Sequence, residues 1–226
     1  MQITSNSSNG EMKNNNKFDL NGWTCRFRPA TSRPTRQLVM LHGWTGDENS
    51  MWLFTRNIPQ HYAILLPRAP FPIPEGGYSW REIAPRIWTL PSLDEFRSQA
   101  EILLALIDRW ISISDLDSNN FDIAGFSQGA AMAFSLALYF PARVNRVVAL
   151  SGFLPEGCES QLSVLEGKQV FMAHGRADEL IPIERARRAD TLLKDAGALV
   201  TYCESDGGHK VGKECLREME KSFIIG

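Results

Sequence analysis

The stretch Phe121-Asp122-Ile123-Ala124-Gly125-Phe126-Ser127-Gln128-Gly129 decides how the rest of the chain is read. An apolar run over 121–124 leads into Gly-x-Ser-x-Gly, and a second apolar segment over 128–139 continues until Pro141 stops it. The first run is short and bounded, as a buried strand is, and the second is long enough for a buried helix. A chain that passes from strand to helix this quickly leaves no room for side chains beside the turn, which accounts for both glycines. The middle residue is held in strained backbone geometry, and its hydroxyl is lifted clear of the sheet. Free N–H groups at the start of the helix favour negative charge at that point. Ser127 is therefore the candidate nucleophile.

Working outward, buried strands are expected at 37–41, 63–66, 146–150, 169–173 and 199–203, with a possible edge strand at 23–27. Helices are expected at 47–56, 183–196 and 211–224, and one opening at Ser92. Ser92 and Glu95 have the spacing of a capping box, and Gly197 stands where a helix commonly stops. Residues 70–91 are rich in Pro, Gly and aromatics and read as a loop. Apolar strands alternating with helices predict an α/β fold: a mainly parallel twisted sheet with helices on both faces and a minimal cap or none. Ligands bind such sheets beyond the carboxyl ends of the strands.

A serine hydroxyl needs a base to accept its proton. Of the four histidines, His61 lies in a polar loop, while His42 and His174 each end a strand. His209, in Gly207-Gly208-His209, lies between the last strand and the last helix. The order Ser, Asp or Glu, His expected of a Gly-x-Ser-x-Gly turn selects His209 as base, with His174 the lesser alternative. The acid comes from the strand end before it. Asp178 fits, with Glu179 and Asp206 as rivals; Asp206 would have to fold back sharply onto a residue three positions away. For the oxyanion, the N–H of Gln128 follows the nucleophile, and the loop His42-Gly43-Trp44-Thr45-Gly46 offers the N–H of Trp44. Trp44, Phe71, Tyr78, Trp80 and Trp88 are candidates to line a compact apolar pocket.

At this point the chain resembles a known family. In order, LHGWTGDE, GFSQGAAMAFSLAL, ALSGFLP, HGRADELIP and GGHKV are similar to the phospholipase/carboxylesterase branch of the α/β-hydrolase superfamily, which includes acyl-protein thioesterases. The resemblance runs from Gln37 to Ile224. It implies Ser127, Asp178 and His209 as a catalytic triad and the Trp44 and Gln128 amides as oxyanion hole. Trp44 stands where thioesterases of the family commonly carry a small aliphatic residue. The segment 67–88 is shorter than a long acyl tunnel needs. The expected reaction is hydrolysis of short- to medium-chain carboxylic esters through an acyl-enzyme. A thioesterase or lysophospholipase is the alternative, and a non-catalytic ligand-binding homologue the rival of another class.

Composition agrees with a globular chain: of 226 residues 43% are hydrophobic and 22% charged, and the net charge is −2. Nothing there calls for nucleic acid, and no apolar run is long enough for stable membrane insertion. Residues 1–17 read as a disordered polar tail without the apolar run of a secretory signal, and 18–226 as a single domain. Cys25, Cys158, Cys203 and Cys215 form no Cys-x-x-Cys pair and are expected as free thiols of a cytoplasmic protein. No metal or cofactor is expected; the partner is a small-molecule ester, the assembly a monomer or homodimer. Residues 207–213 match Gly-x-x-x-x-Gly-Lys, but Glu214 follows where a phosphate-binding loop needs Ser or Thr.

Overall fold

A computed structural model describes residues 16–33, 35–82, 90–114, 116 and 119–224. Eight strands form one sheet in the order β1-β2-β4-β3-β7-β8-β9-β10. They are β1 (Lys17–Leu20), β2 (Trp23–Arg28), β3 (Arg36–Leu41), β4 (Tyr62–Pro67), β7 (Phe121–Phe126), β8 (Val144–Leu150), β9 (Gln169–Gly175) and β10 (Leu199–Ser205). A separate two-stranded ribbon pairs β5 (Phe71–Pro72) with β6 (Tyr78–Ser79). From β4 to β10 neighbouring strands are parallel. Within this sheet β1 with β2, and β2 with β4, pair antiparallel.

Among the described residues four α-helices cover this sheet: α1 (Arg97–Ile113), α2 (Gln128–Tyr139), α3 (Ile183–Asp195) and α4 (Lys213–Ser222). Strand side chains alternate between two apolar layers, as the pleat requires. Val39, Leu41 and Ile123 face one layer, with the buried stripes of α1, α2 and α3; Leu38, Met40 and Ala124 face the other, with Met219 of α4. Helix α2 is apolar on nearly all sides and is buried along Gln128–Leu138. It packs on the central strands β7 and β8.

Four expectations need correction. Residues 23–27 are not the edge: β1 lies outside them, folded back through Asn21 and Gly22 at φ 52° and 83°. Asn-Gly adopts that two-residue hairpin turn without strain. Lys17 thus belongs to a strand, while the rest of the expected tail lies almost wholly outside the described residues. The expected helix at 47–56 shrinks to a single 3-10 turn at Trp52–Thr55. Asp47 accepts the Asn49 N–H (2.9 Å) and pairs with Ser50, and these side-chain bonds compete with helical ones. Glu95 does accept the Ser92 N–H at 2.7 Å, yet the α-helix begins only at Arg97 after a 3-10 turn.

The fourth concerns cysteine. Cys203 of β10 and Cys215 of α4 form a disulfide, with Cα atoms 5.6 Å apart. Only Cys25 and Cys158 are free, both buried. The free-thiol argument for a reducing compartment therefore fails for this pair. No helix among the described residues is long and apolar enough to cross a membrane.

Candidate active site

Every candidate group follows the carboxyl end of a parallel strand. Ser127 joins β7 to α2 with φ 52° and ψ −117°, a region that L-residues seldom occupy. Its N–H donates to Leu150 O of β8 (2.9 Å), and its carbonyl accepts the Ala130 N–H (2.9 Å). A Cβ on Gly125 would lie 2.1 Å from Gly129 O, and one on Gly129 would lie 2.4 Å from the His42 and Leu41 carbonyls. Only glycine fits at either position. The turn is held from both sides, so the strain at Ser127 has no local way to relax.

His209 and Asp178 meet although they follow different strands. The loops after β9 and β10 are zipped together: Arg176 N–H donates to Ser205 O (2.8 Å) and Ala177 N–H to Gly207 O (2.9 Å). A side chain at Gly175 would strike Gly208 O at 2.2 Å. His209 Nδ1–H donates to Asp178 Oδ2 at 2.8 Å, which leaves Nε2 as acceptor. Oδ1 of the same carboxylate accepts the Leu180 and Ile181 N–H groups at 3.0 and 2.9 Å. The Asp178 side chain is wholly buried and His209 is 18% exposed. His174 is also near, its Nε2 3.3 Å from Asp178 Oδ2, but Nε2–H donates to the Ile181 carbonyl (2.8 Å). Of the rival acids, Asp206 pairs at the surface with Arg176, and Glu179 points to solvent at the cavity rim.

Ser127, His209, Gln128 and Trp44 line one cavity of about 730 Å³. Its apolar walls come from Phe126, Phe153, Leu180 and Ile181, and Arg81 contributes a charge. This volume lies in the range of small-molecule sites. Among the described residues, Trp44 N–H and Gln128 N–H donate to no protein acceptor. No hydrogen bond joins the Ser127 hydroxyl to His209 either. Such bonds often tighten only when substrate is bound.

The aromatic candidates divide. Trp44 lines the cavity. Trp80 does not, being wholly buried, with its indole N–H donating to His42 O (2.7 Å) and its ring stacked on Trp23. Tyr78 is tied to Arg68, which donates to its hydroxyl at 3.0 Å and covers its ring. Phe71 faces a separate hollow beside Glu95 and Ser98. Trp88 lies outside the described residues. The path of the 67–82 segment turns all three rings away from this cavity: Trp80 is buried beneath it, while Phe71 and Tyr78 are half-buried beside it.

One contribution escaped the sequence reading. The Gln128 side chain holds that segment to α2, its Oε1 accepting the Trp80 N–H (2.9 Å) and its Nε2 donating to Ser79 Oγ (3.0 Å). A buried Gln in the first turn of an apolar helix was the available signal. Among the described residues, no group of three His, Cys, Asp or Glu side chains is arranged to hold a metal ion.

The chain has relatives among known proteins. The sequence profile described as Phospholipase/Carboxylesterase matches residues 27–224. Acyl-protein thioesterase 1 of Debaryomyces hansenii is 28% identical over 190 residues, covering 74% of this chain and 81% of that protein. Lysophospholipase-like protein 1 of Mus musculus is 27% identical, covering 86% and 88%. Among solved structures, a carboxylesterase from Mesorhizobium loti superposes with TM-score 0.78 over 94% of this chain and all of that one, at 21% identity.

Proposed function

The chain belongs to the phospholipase/carboxylesterase family and has the α/β-hydrolase fold, and on that premise we propose that it is a serine carboxylesterase acting on short- to medium-chain esters. The observation that carries this reading is the strained Ser127, which shares a cavity with an imidazole whose Nδ1–H is engaged by buried Asp178. His209 Nε2 accepts the hydroxyl proton as Ser127 Oγ attacks the ester carbonyl. Asp178 accepts only, through both oxygens, so it keeps the tautomer and stabilises the imidazolium. The Trp44 and Gln128 amides receive the oxyanion. The imidazolium then protonates the leaving alcohol, an acyl-Ser127 ester remains, and a water activated by His209 hydrolyses it.

The partner in this reading is a small-molecule ester, and the mechanism calls for no cofactor. The names of the relatives favour a second reading, in which an acyl thioester takes the ester's place on the same residues. Both are tested by turnover of p-nitrophenyl esters of two to sixteen carbons beside the matching acyl thioesters. Ser127→Ala is expected to abolish turnover, and Asp178→Asn to lower kcat by about four orders of magnitude. A maximum at long chains or on thioesters moves the assignment to the second reading. No turnover, with Ser127 unlabelled by a fluorophosphonate, refutes both and leaves a ligand-binding protein.

A further inference from the structure

His42 is a buried histidine outside the proposed reaction, and both its ring nitrogens and its carbonyl are engaged. Ala69 N–H, just beyond β4, donates to Nε2 at 3.0 Å. That bond makes Nε2 an acceptor and puts the ring proton on Nδ1. Nδ1–H donates to the carbonyl of the next residue, Gly43, at 2.7 Å. The His42 carbonyl accepts the Trp80 indole N–H at 2.7 Å, and the two rings lie 5.2 Å apart. The imidazole is thus fixed by elements on two sides.

The position of its partner gives this clamp a consequence. The Gly43 carbonyl and the Trp44 N–H are the two ends of one peptide unit, which is planar and trans, so they point in opposite directions. Whatever holds the carbonyl aims the N–H. Gly43 O receives two donors, His42 Nδ1–H and the Gly46 N–H (3.0 Å). The same peptide lies against the serine turn: a Cβ on Gly43 would be 3.3 Å from Ser127 Cβ.

We propose that His42 is a positioning residue, which by holding the Gly43 carbonyl aims the Trp44 N–H at the oxyanion formed on Ser127. The inference rests on the reading of the Trp44 amide as an oxyanion donor. It gives a side-chain handle on a backbone group that substitution cannot remove. The ring never touches substrate, so its loss is felt in the transition state and not in ground-state binding.

The experiment compares His42→Gln with His42→Asn, with Ser127→Ala as control. Gln can accept from Ala69 at the Nε2 position but offers no donor beside Gly43 O; Asn places an N–H near the Nδ1 position. Activity is measured as kcat and KM on a p-nitrophenyl ester, together with affinity for a trifluoromethyl ketone that forms a tetrahedral adduct. Thermal melts give the folded fraction. His42→Gln is expected to lose about 10²-fold in kcat, the scale of one oxyanion donor. KM stays within about twofold, and ketone affinity falls in parallel with kcat. His42→Asn recovers at least about tenfold of that loss. If Ser127→Ala is inactive but His42→Gln keeps its kcat and ketone affinity per folded molecule, the positioning role is overturned and the esterase reading stands. If His42→Gln loses both but His42→Asn recovers nothing, the Nδ1–H bond is not the cause and the inference fails. If Ser127→Ala still turns over ester, the esterase reading falls and this inference with it.

Discussion

Reduction of the Cys203–Cys215 bond is expected to cost the protein about 3 kcal/mol of stability. The bond closes a loop with a sequence separation of 12. The chain-entropy relation for a loop of that length gives about 3 kcal/mol at 25 °C. For a chain of this size that corresponds to a drop of roughly 6–12 °C in melting temperature. Both sulfurs are buried in the layer between the sheet and α4, so the reduced thiols keep their packing and the difference isolates the cross-link. The assay is denaturant unfolding of the same preparation with and without a phosphine reductant, beside a thiol count in denaturant. His209 lies inside the closed loop, so heat inactivation should move down with the melt. Four titratable thiols in unreduced, denatured protein would refute the bond itself. Coincident unfolding midpoints with and without reductant would refute the energetic argument.

Two further outcomes follow from the site. Glycine occupies φ 52° freely, and strain at such a residue costs about 1–3 kcal/mol. Ser127→Gly should therefore melt a few degrees above Ser127→Ala, both being inactive; equal melting temperatures would show the turn to be unstrained. Burial lowers the pKa of His42 to about 4, well under the ordinary 6.5. Between those values the unfolded chain binds the proton and the folded one does not. Stability is then fully present above pH 6.5 and declines as pH falls to 4, by on the order of 3 kcal/mol. Urea unfolding across that window should show the decline in the native protein and a flatter profile in His42→Asn; parallel profiles would assign the decline to other groups.

The strands and helices that carry the site were legible because a parallel sheet covered on both faces writes itself as apolar runs. The serine turn was legible because backbone leaves no room for a side chain at either glycine, that of Gly129 itself beside Gly125 and that of Leu41 and His42 beside Gly129. His209 and Asp178 could be named from order along the chain, since each follows a strand. What escaped depends on contacts between distant segments or on local polar competition. The Cys203–Cys215 pair needs the register of α4 against β10, which spacing alone does not give. Trp80, Tyr78 and Phe71 are aromatic in either role, and only the path of their loop decides whether they line a cavity or fill a core. Asp47 broke an expected helix through side-chain bonds within three residues. The Asn21–Gly22 hairpin is different, for its signal is local, a turn dipeptide between two short strands.

The sheet order also sets when the site comes into being. Ser127 leaves a central strand, whereas His209 follows β10, the last strand in sequence and one edge of the sheet. Chains fold from the amino end as they are synthesised. The serine turn can close on β3, β7 and β8 while the imidazole has yet to emerge from the ribosome. A chain cut short before β10 carries Ser127 without His209, the proton acceptor proposed for it. Under the proposed mechanism such a fragment lacks a base for Ser127, which is supplied only when the final strand and helix dock.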